Sequence, residues 1–111
     1  MQVAWPEEDI LGLKVEQDGV EVKLHTYRFP VPESVNRKGV VFYIHGLGAH
    51  CERTAFIFKG FAEQGYEVFA LDQRGFGNSG GLRGLFEDSN QVYSDLFLFV
   101  FKAVQKYKID L

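Results

Sequence analysis

The chain has 111 residues, room for one small domain with its own core, and is 46% hydrophobic and 24% charged with a net charge of −3. That balance excludes the basic footprint of a nucleic-acid binder, and no basic run fits an anionic membrane surface. The one cysteine, Cys51, excludes an intrachain disulfide.

In chain order, residues 11–29, LGLKVEQDGVEVKLHTYRF, alternate loosely around Asp18-Gly19. An Asp-Gly pair between alternating runs predicts a β-hairpin, because both residues tolerate the positive φ of a tight turn. Residues 30–39, PVPESVNRKG, read as a loop whose two prolines cannot donate to a ladder. From residue 40, VVFYIHG is a continuous apolar run, the pattern of a parallel strand buried on both faces. Residues 52–65, ERTAFIFKGFAEQG, space Ala55, Phe56, Phe58, Phe61 and Ala62 at helical intervals. Gly65 stands where a left-handed residue closes a helix.

YEVFALD, residues 66–72, is a second buried strand, followed by a glycine-rich loop as far as Gly84. Asp88 and Gln91 resemble a capping box opening a helix that ends near Tyr107. Its inner face reads as Val92, Tyr93, Leu96, Val100, Ala103, Val104 and Tyr107. The stretch LFLFVF, 96–101, is apolar all round, as in a helix that is buried or meets a partner. Eleven Phe and five Tyr are a heavy aromatic load, read as core filling or as surface that packs on something outside the chain. Hairpin, strand, helix, strand, helix is an α/β order, and its βαβ unit calls for a right-handed parallel crossover.

Two short patterns overlap in the glycine-rich loop. Residues 75–80, GFGNSG, read G-x-G-x-x-G, the dinucleotide fingerprint, and residues 77–81 read G-x-S-x-G, the nucleophile elbow. A dinucleotide site needs a helix beginning inside the glycines, whereas Gly81-Leu82-Arg83-Gly84 is poor helix sequence. An elbow needs a strand running directly into the serine and a histidine after it, but Asp72-Gln73-Arg74 intervene and no His follows His50. Ser79 therefore reads as a loop serine bonded to nearby backbone. A second dinucleotide candidate is Gly46-x-Gly48 with Asp72 at the end of the next strand. Against it, Cys51 takes the third glycine position and Glu52 would face the phosphates.

FYIHGLGAHCER, then a helix, then GYEVFALDQRGFGNSGGLRG together resemble the monoacylglycerol lipase and lysophospholipase group of α/β-hydrolases. The resemblance rests on His45-Gly46-Leu47-Gly48 and on Asp72, Gly75, Gly77, Ser79 and Gly81, and runs from about residue 38 to 107. It implies part of an α/β-hydrolase fold: a hairpin and loop over 1–38, then a β-α-β-α unit of the mostly parallel sheet over 39–111. By the same resemblance the backbone N–H of Leu47 is an oxyanion-hole donor, and Gly46 and Gly48 let the chain turn close to substrate. His45 is structural and orients the turn. The glycine loop crosses the top of the sheet, with Asp72 and Arg74 holding it by hydrogen bonds. Where the family often has Glu-His-Ser before its Arg, this chain has Ala49-His50-Cys51 before Glu52 and Arg53. Cys51 near a helix start reads as a small packed side chain and not as a nucleophile.

No nucleophile, acid or catalytic His of a triad is expected among these residues. The resemblance expects them, with G-x-S-x-G first, beyond Leu111, so that the chain is the N-terminal portion of a domain and inactive alone. It also places VVFYIHG between YEVFALD and that further strand, leaving it an apolar edge here. An ester, acylglycerol-like, is the implied substrate; no cofactor, metal or nucleic acid is expected. The alternatives are a nucleotide-binding fragment and a non-catalytic interaction module. The opening MQVAWPEEDI lacks the basic and apolar regions of a secretory signal, and no window reaches the roughly 18 apolar residues of a membrane span, so a cytoplasmic location is expected.

Overall fold

Asp18 and Gly19 both adopt positive φ, 52° and 77°, which is the backbone of a two-residue turn matched to the twist of its flanking strands. They join β2 (Leu13–Gln17) to β3 (Val20–Leu24) with Leu13 opposite Leu24 and Gln17 opposite Val20. This is a computed structural model, and it describes residues 3–44, 54–74, 78–80 and 89–110. Leu13, Val22 and Leu24 face inward and are buried, while Lys14, Glu21 and Lys23 face out, the period of two that pins hairpin register.

The hairpin expected over 11–29 is shorter than its alternation suggested, because the chain changes sheets at His25. The His25 N–H donates to Ser79 Oγ at 2.8 Å, and its carbonyl accepts from the Asp72 N–H at 3.1 Å. These bonds take up backbone groups that would otherwise have continued the hairpin ladder. The next residues form β4 (Thr26–Phe29), with β1 (Glu7–Glu8) antiparallel on one side. On its other side β4 pairs antiparallel with β6 (Tyr66–Leu71), Tyr27 opposite Ala70. β5 (Gly39–Ile44) runs parallel to β6, Val41 beside Val68 and Ile44 beside Leu71. The sheet order is β1-β4-β6-β5, and α1 (Ala55–Glu63) lies between β5 and β6 in the chain. After the glycine-rich region comes α2 (Ser89–Tyr107).

Alternation along β6 divides the core between the two faces of the sheet. Phe69 and Leu71 pack with Leu13, Val22 and Leu24 of the hairpin and with Phe99 and Ala103 of α2. Val68 and Ala70 pack on the other face with Trp5, Tyr27 and Ala55 and Phe58 of α1. Much of the aromatic load is spent here: Phe42 stacks on Phe69 at 5.6 Å and meets Phe99 edge-on at 5.7 Å. Trp5 lies 5.2 Å from Tyr27 and 5.6 Å from Phe58. Full burial of a ring such as Phe69 or Phe99 is worth about 1.5–3 kcal/mol over leaving it in water.

The pattern of β5 is that of a strand buried on both faces, yet each of its residues is half-buried, as expected of an edge, whereas five of the six residues of β6 are buried. The reason is position: β6 lies between β4 and β5, and β5 closes the row of described strands. On α2, Ala103 is buried and Leu96, Val100, Val104 and Tyr107 pack against the core as expected, but Tyr93, expected inward, faces out and Phe99 takes the central place. Asp95, Phe99 and Ala103 are the helix's buried centre, while Tyr93 is 60%, Phe97 76% and Phe101 62% exposed. Phe99 fits between Phe42 and the hairpin, and Asp95 meets an arginine below, so these contacts set the rotation rather than the apolar count.

α1 ends as expected at Gly65, whose φ is 99° and whose N–H donates to the Ala62 carbonyl at 3.0 Å. The Gly65 carbonyl accepts from the Lys38 N–H at 2.7 Å, and a Cβ here would lie 2.7 Å from the Asn36 carbonyl oxygen. The expected cap at Asp88 lies outside the described residues. Among the described residues, no helix is long and apolar enough to cross a membrane.

Candidate active site

Because β5 and β6 are parallel and in register, their last residues, Ile44 and Leu71, lie side by side at one edge of the sheet. In open α/β sheets ligands bind at this carboxyl edge. Ile44 leads directly into His45-Gly46-Leu47-Gly48, and Leu71 into Asp72-Gln73-Arg74. Ile44, Leu71, Gln73, Arg74, Gln91, Val92 and Asp95 line a small open cleft here. His45, Gly46, Leu47 and Gly48, like Gly75, Gly77 and Gly81, lie outside the described residues. So do His50, Cys51, Glu52 and Arg53.

Asp72 and Ser79 are described, and the fold brings them together. Asp72 is wholly buried; its Oδ2 accepts from the Tyr27 hydroxyl and from the Asn78 backbone N–H at 3.0 Å. The Asn78 side-chain amide in turn donates to the Tyr27 oxygen at 3.1 Å. Ser79, also wholly buried, donates its hydroxyl proton to the Asp72 carbonyl at 2.5 Å while accepting from the His25 N–H. Gly80 then donates to the Lys23 carbonyl at 2.7 Å, and a Cβ there would come within 3.3 Å of Val22. Residues 78–80 thus return beside residue 72 and are bonded to the break between β3 and β4. The segment starts and ends on the same support.

Arg74 adds a second tie. Its Nε and terminal nitrogen donate to the two carboxylate oxygens of Asp95 at 3.0 and 2.7 Å, with both side chains under a tenth exposed. This two-pronged fit uses the planar geometry that only arginine offers. Another Arg74 nitrogen reaches the Glu16 carbonyl at 3.5 Å, so this side chain links the end of β6 to α2 and to the hairpin. Asp72 and Arg74 are each hydrogen-bonded in the interior and do not pair with one another.

Among the described residues, nothing beside Ser79 sets it up for acyl transfer. Its contact with His25 is to the main chain, and the His25 ring points elsewhere, its Nε2 3.0 Å from Glu8 Oε1. Among the described residues, no group of three or more His, Cys, Asp or Glu side chains is gathered to hold a metal. Tyr27, Asn78 and Asp95 belong to the site's framework, and sequence reading missed them. Tyr27 is 45 residues from Asp72 and carries no local mark. Asp95 did leave a sign, as the lone carboxylate entering the apolar run 96–101 of α2.

At the far end of β6 a charged cluster serves the framework. Glu67 is buried between Arg28, whose Nε donates at 2.6 Å, and Arg37 at 2.9 Å, and Arg28 also reaches Glu7 at 2.7 Å. The Arg28 guanidinium lies 4.4 Å over the Tyr107 ring, joining the end of α2 to the sheet. Burial, with Glu7 and Glu67 adding to it, pushes the Tyr107 phenol above its ordinary range against the opposing pull of Arg28.

Residues 35–110, spanning both strand ends and both ties, match the family described as serine aminopeptidase, S33. The chain belongs to this α/β-hydrolase family. The S33 chain is 46% identical over 63 residues to an uncharacterized abhydrolase domain-containing protein of Dictyostelium discoideum, covering 57% of itself and 7% of that protein. It is 38% identical over 58 residues to a monoacylglycerol lipase of Mycolicibacterium smegmatis, covering 52% of itself and 21% of the lipase. A soluble variant of monoglyceride lipase from Saccharomyces cerevisiae, solved with a substrate analog, superposes at a TM-score of 0.65 and 28% identity over 86% of this chain and 30% of its own. The S33 chain therefore spans well under a third of the curated relatives it matches, and its architecture is part of an α/β-hydrolase fold. Membership in this family sets aside the nucleotide-binding reading of Gly46-x-Gly48 and of residues 75–80.

Proposed function

We propose that these residues are the oxyanion-hole side of a serine ester hydrolase acting on acylglycerol-like esters. The observation that carries this reading is the family match across residues 35–110, which includes His45-Gly46-Leu47-Gly48 immediately after Ile44. Similarity to two glyceride lipases supports the substrate class. When a serine attacks an ester carbonyl, the carbonyl oxygen gains a full negative charge, and a fixed N–H aimed at it stabilises that charge without reorganisation. The Leu47 N–H fills this role, Gly46 and Gly48 permit the close turn, and His45 orients it. Nucleophile, acid and base are supplied by other residues of the whole enzyme. Ser79, with its proton committed to the Asp72 carbonyl, is a framework residue.

Replacing the Leu47 amide by an ester linkage removes the donor and keeps the side chain. In the whole enzyme kcat for a monoacylglycerol is expected to fall about a hundred- to a thousandfold with little change in KM. An unchanged kcat would remove Leu47 from the oxyanion hole. A fluorophosphonate probe attached to Ser79 would overturn its framework role.

A further inference from the structure

The polar trio of Tyr27, Asp72 and Asn78 has no part in the chemistry proposed so far, and its cost needs a reason. Tyr27 and Asp72 are wholly buried. The Tyr27 ring already packs against Trp5 at 5.2 Å and lies edge-on to the His25 ring at 4.9 Å, contacts that a phenylalanine would make equally well. Its hydroxyl adds no apolar burial; it adds direction. Donating to Asp72 Oδ2 and accepting from the Asn78 side chain, one oxygen bridges β4 and both ends of the segment 72–78. The same Oδ2 also takes the Asn78 backbone N–H, so the three groups fix one another.

What this bridge holds still is the edge of the cleft. Leu71, immediately before Asp72, is the register partner of Ile44, the residue immediately before His45-Gly46-Leu47-Gly48. Gln73 and Arg74, immediately after it, line the cleft. We infer that Tyr27 is a positioning residue of the hydrolytic site, acting through Asp72 on the carboxyl end of β6 and on the cleft wall. This rests on the hydrolase reading above. Without the hydroxyl, the Asp72 carboxylate has one donor fewer in a place closed to water, and the Asn78 amide loses an acceptor. The segment then shifts to recover those bonds, and a displacement of about 1 Å beside reacting groups can cost up to about a hundredfold in rate.

The test is Tyr27→Phe in the whole enzyme, assayed on a short-chain aryl ester alongside its melting temperature. kcat is expected to fall about ten- to a hundredfold with KM within about twofold, since geometry and not binding is disturbed. Phe58→Leu, a core change on α1, is the comparator: it lowers the melting temperature but leaves kcat within about twofold well below the melt. Asn78→Ala keeps the backbone bond to Asp72 and removes the amide bond to Tyr27. At an exposed position it spares folding and lowers kcat by a smaller factor, about threefold or more. A Tyr27→Phe enzyme that melts earlier yet keeps its kcat makes the hydroxyl merely structural and ends the inference. Where Tyr27→Phe does not fold, an unchanged kcat in Asn78→Ala has the same force. Wild-type enzyme with no ester turnover refutes the hydrolase reading itself, and is told apart by the wild type being inactive along with every variant.

Discussion

Arg74 and Asp95 are a pair whose strength follows from where they sit. Two charge-assisted bonds of 2.7 and 3.0 Å join side chains that are only 8% and 7% exposed. An exposed pair would be worth about 0–1 kcal/mol, because water screens both partners. Here the truncation Asp95→Ala leaves a guanidinium buried with its main counter-charge gone, a loss of about 3–5 kcal/mol. Arg74→Ala should cost a similar amount, since it strands the carboxylate. Against a typical domain stability of about 5–15 kcal/mol, either change brings the fold near its limit. The double change Arg74→Met with Asp95→Leu removes both charges, fills the space, and should cost less than either truncation. Urea unfolding of the wild type, the two truncations and the double variant in the whole protein measures all four. Truncations that each cost under about 1 kcal/mol would refute the reasoning, because the pair would then behave as a solvated one.

Gly65→Ala should cost about 2–4 kcal/mol, combining the penalty of a left-handed φ with a clash against a carbonyl that is itself held by the loop before β5; thermal unfolding that shows no loss would mean the helix end is not tied at Asn36. Tyr107 should ionise later than an ordinary tyrosine, whose pKa is about 10, because burial favours its neutral form. Its raised folded pKa means that the stabilisation is complete below about pH 10 and disappears as pH rises through the folded value. Near-ultraviolet titration of wild type minus Tyr107→Phe checks the order, and a midpoint at or below about pH 10 would contradict it.

Much of the architecture is legible locally. Asp18-Gly19 specifies its turn because the required φ is a property of those two residues, and Gly65 marks a helix end for the same reason. The apolar runs at 40–44 and 66–71 read as adjacent parallel strands because a helical pattern separates them. The switch of sheets at His25 is not legible, since it depends on Ser79 and Asp72 arriving from some 50 residues away to take its backbone groups. That Phe99 and not Tyr93 lies inward on α2 is likewise hidden, because six consecutive apolar residues offer no polar side to fix the helix's rotation.

For the site, the sequence by itself determined which two strand ends would meet and which motifs follow them, since turn chemistry and periodicity act over a few residues. It also tied Asp72 to the glycine-rich loop by hydrogen bonds and Ser79 to nearby backbone, as the bonds of residues 78 and 79 to Asp72 show. Only the tertiary structure decided that Tyr27 and Asn78 complete the Asp72 cluster and that Arg74 finds Asp95. Buried polar groups must be satisfied wherever partners happen to lie in space, and spatial partners leave no fixed spacing along the chain.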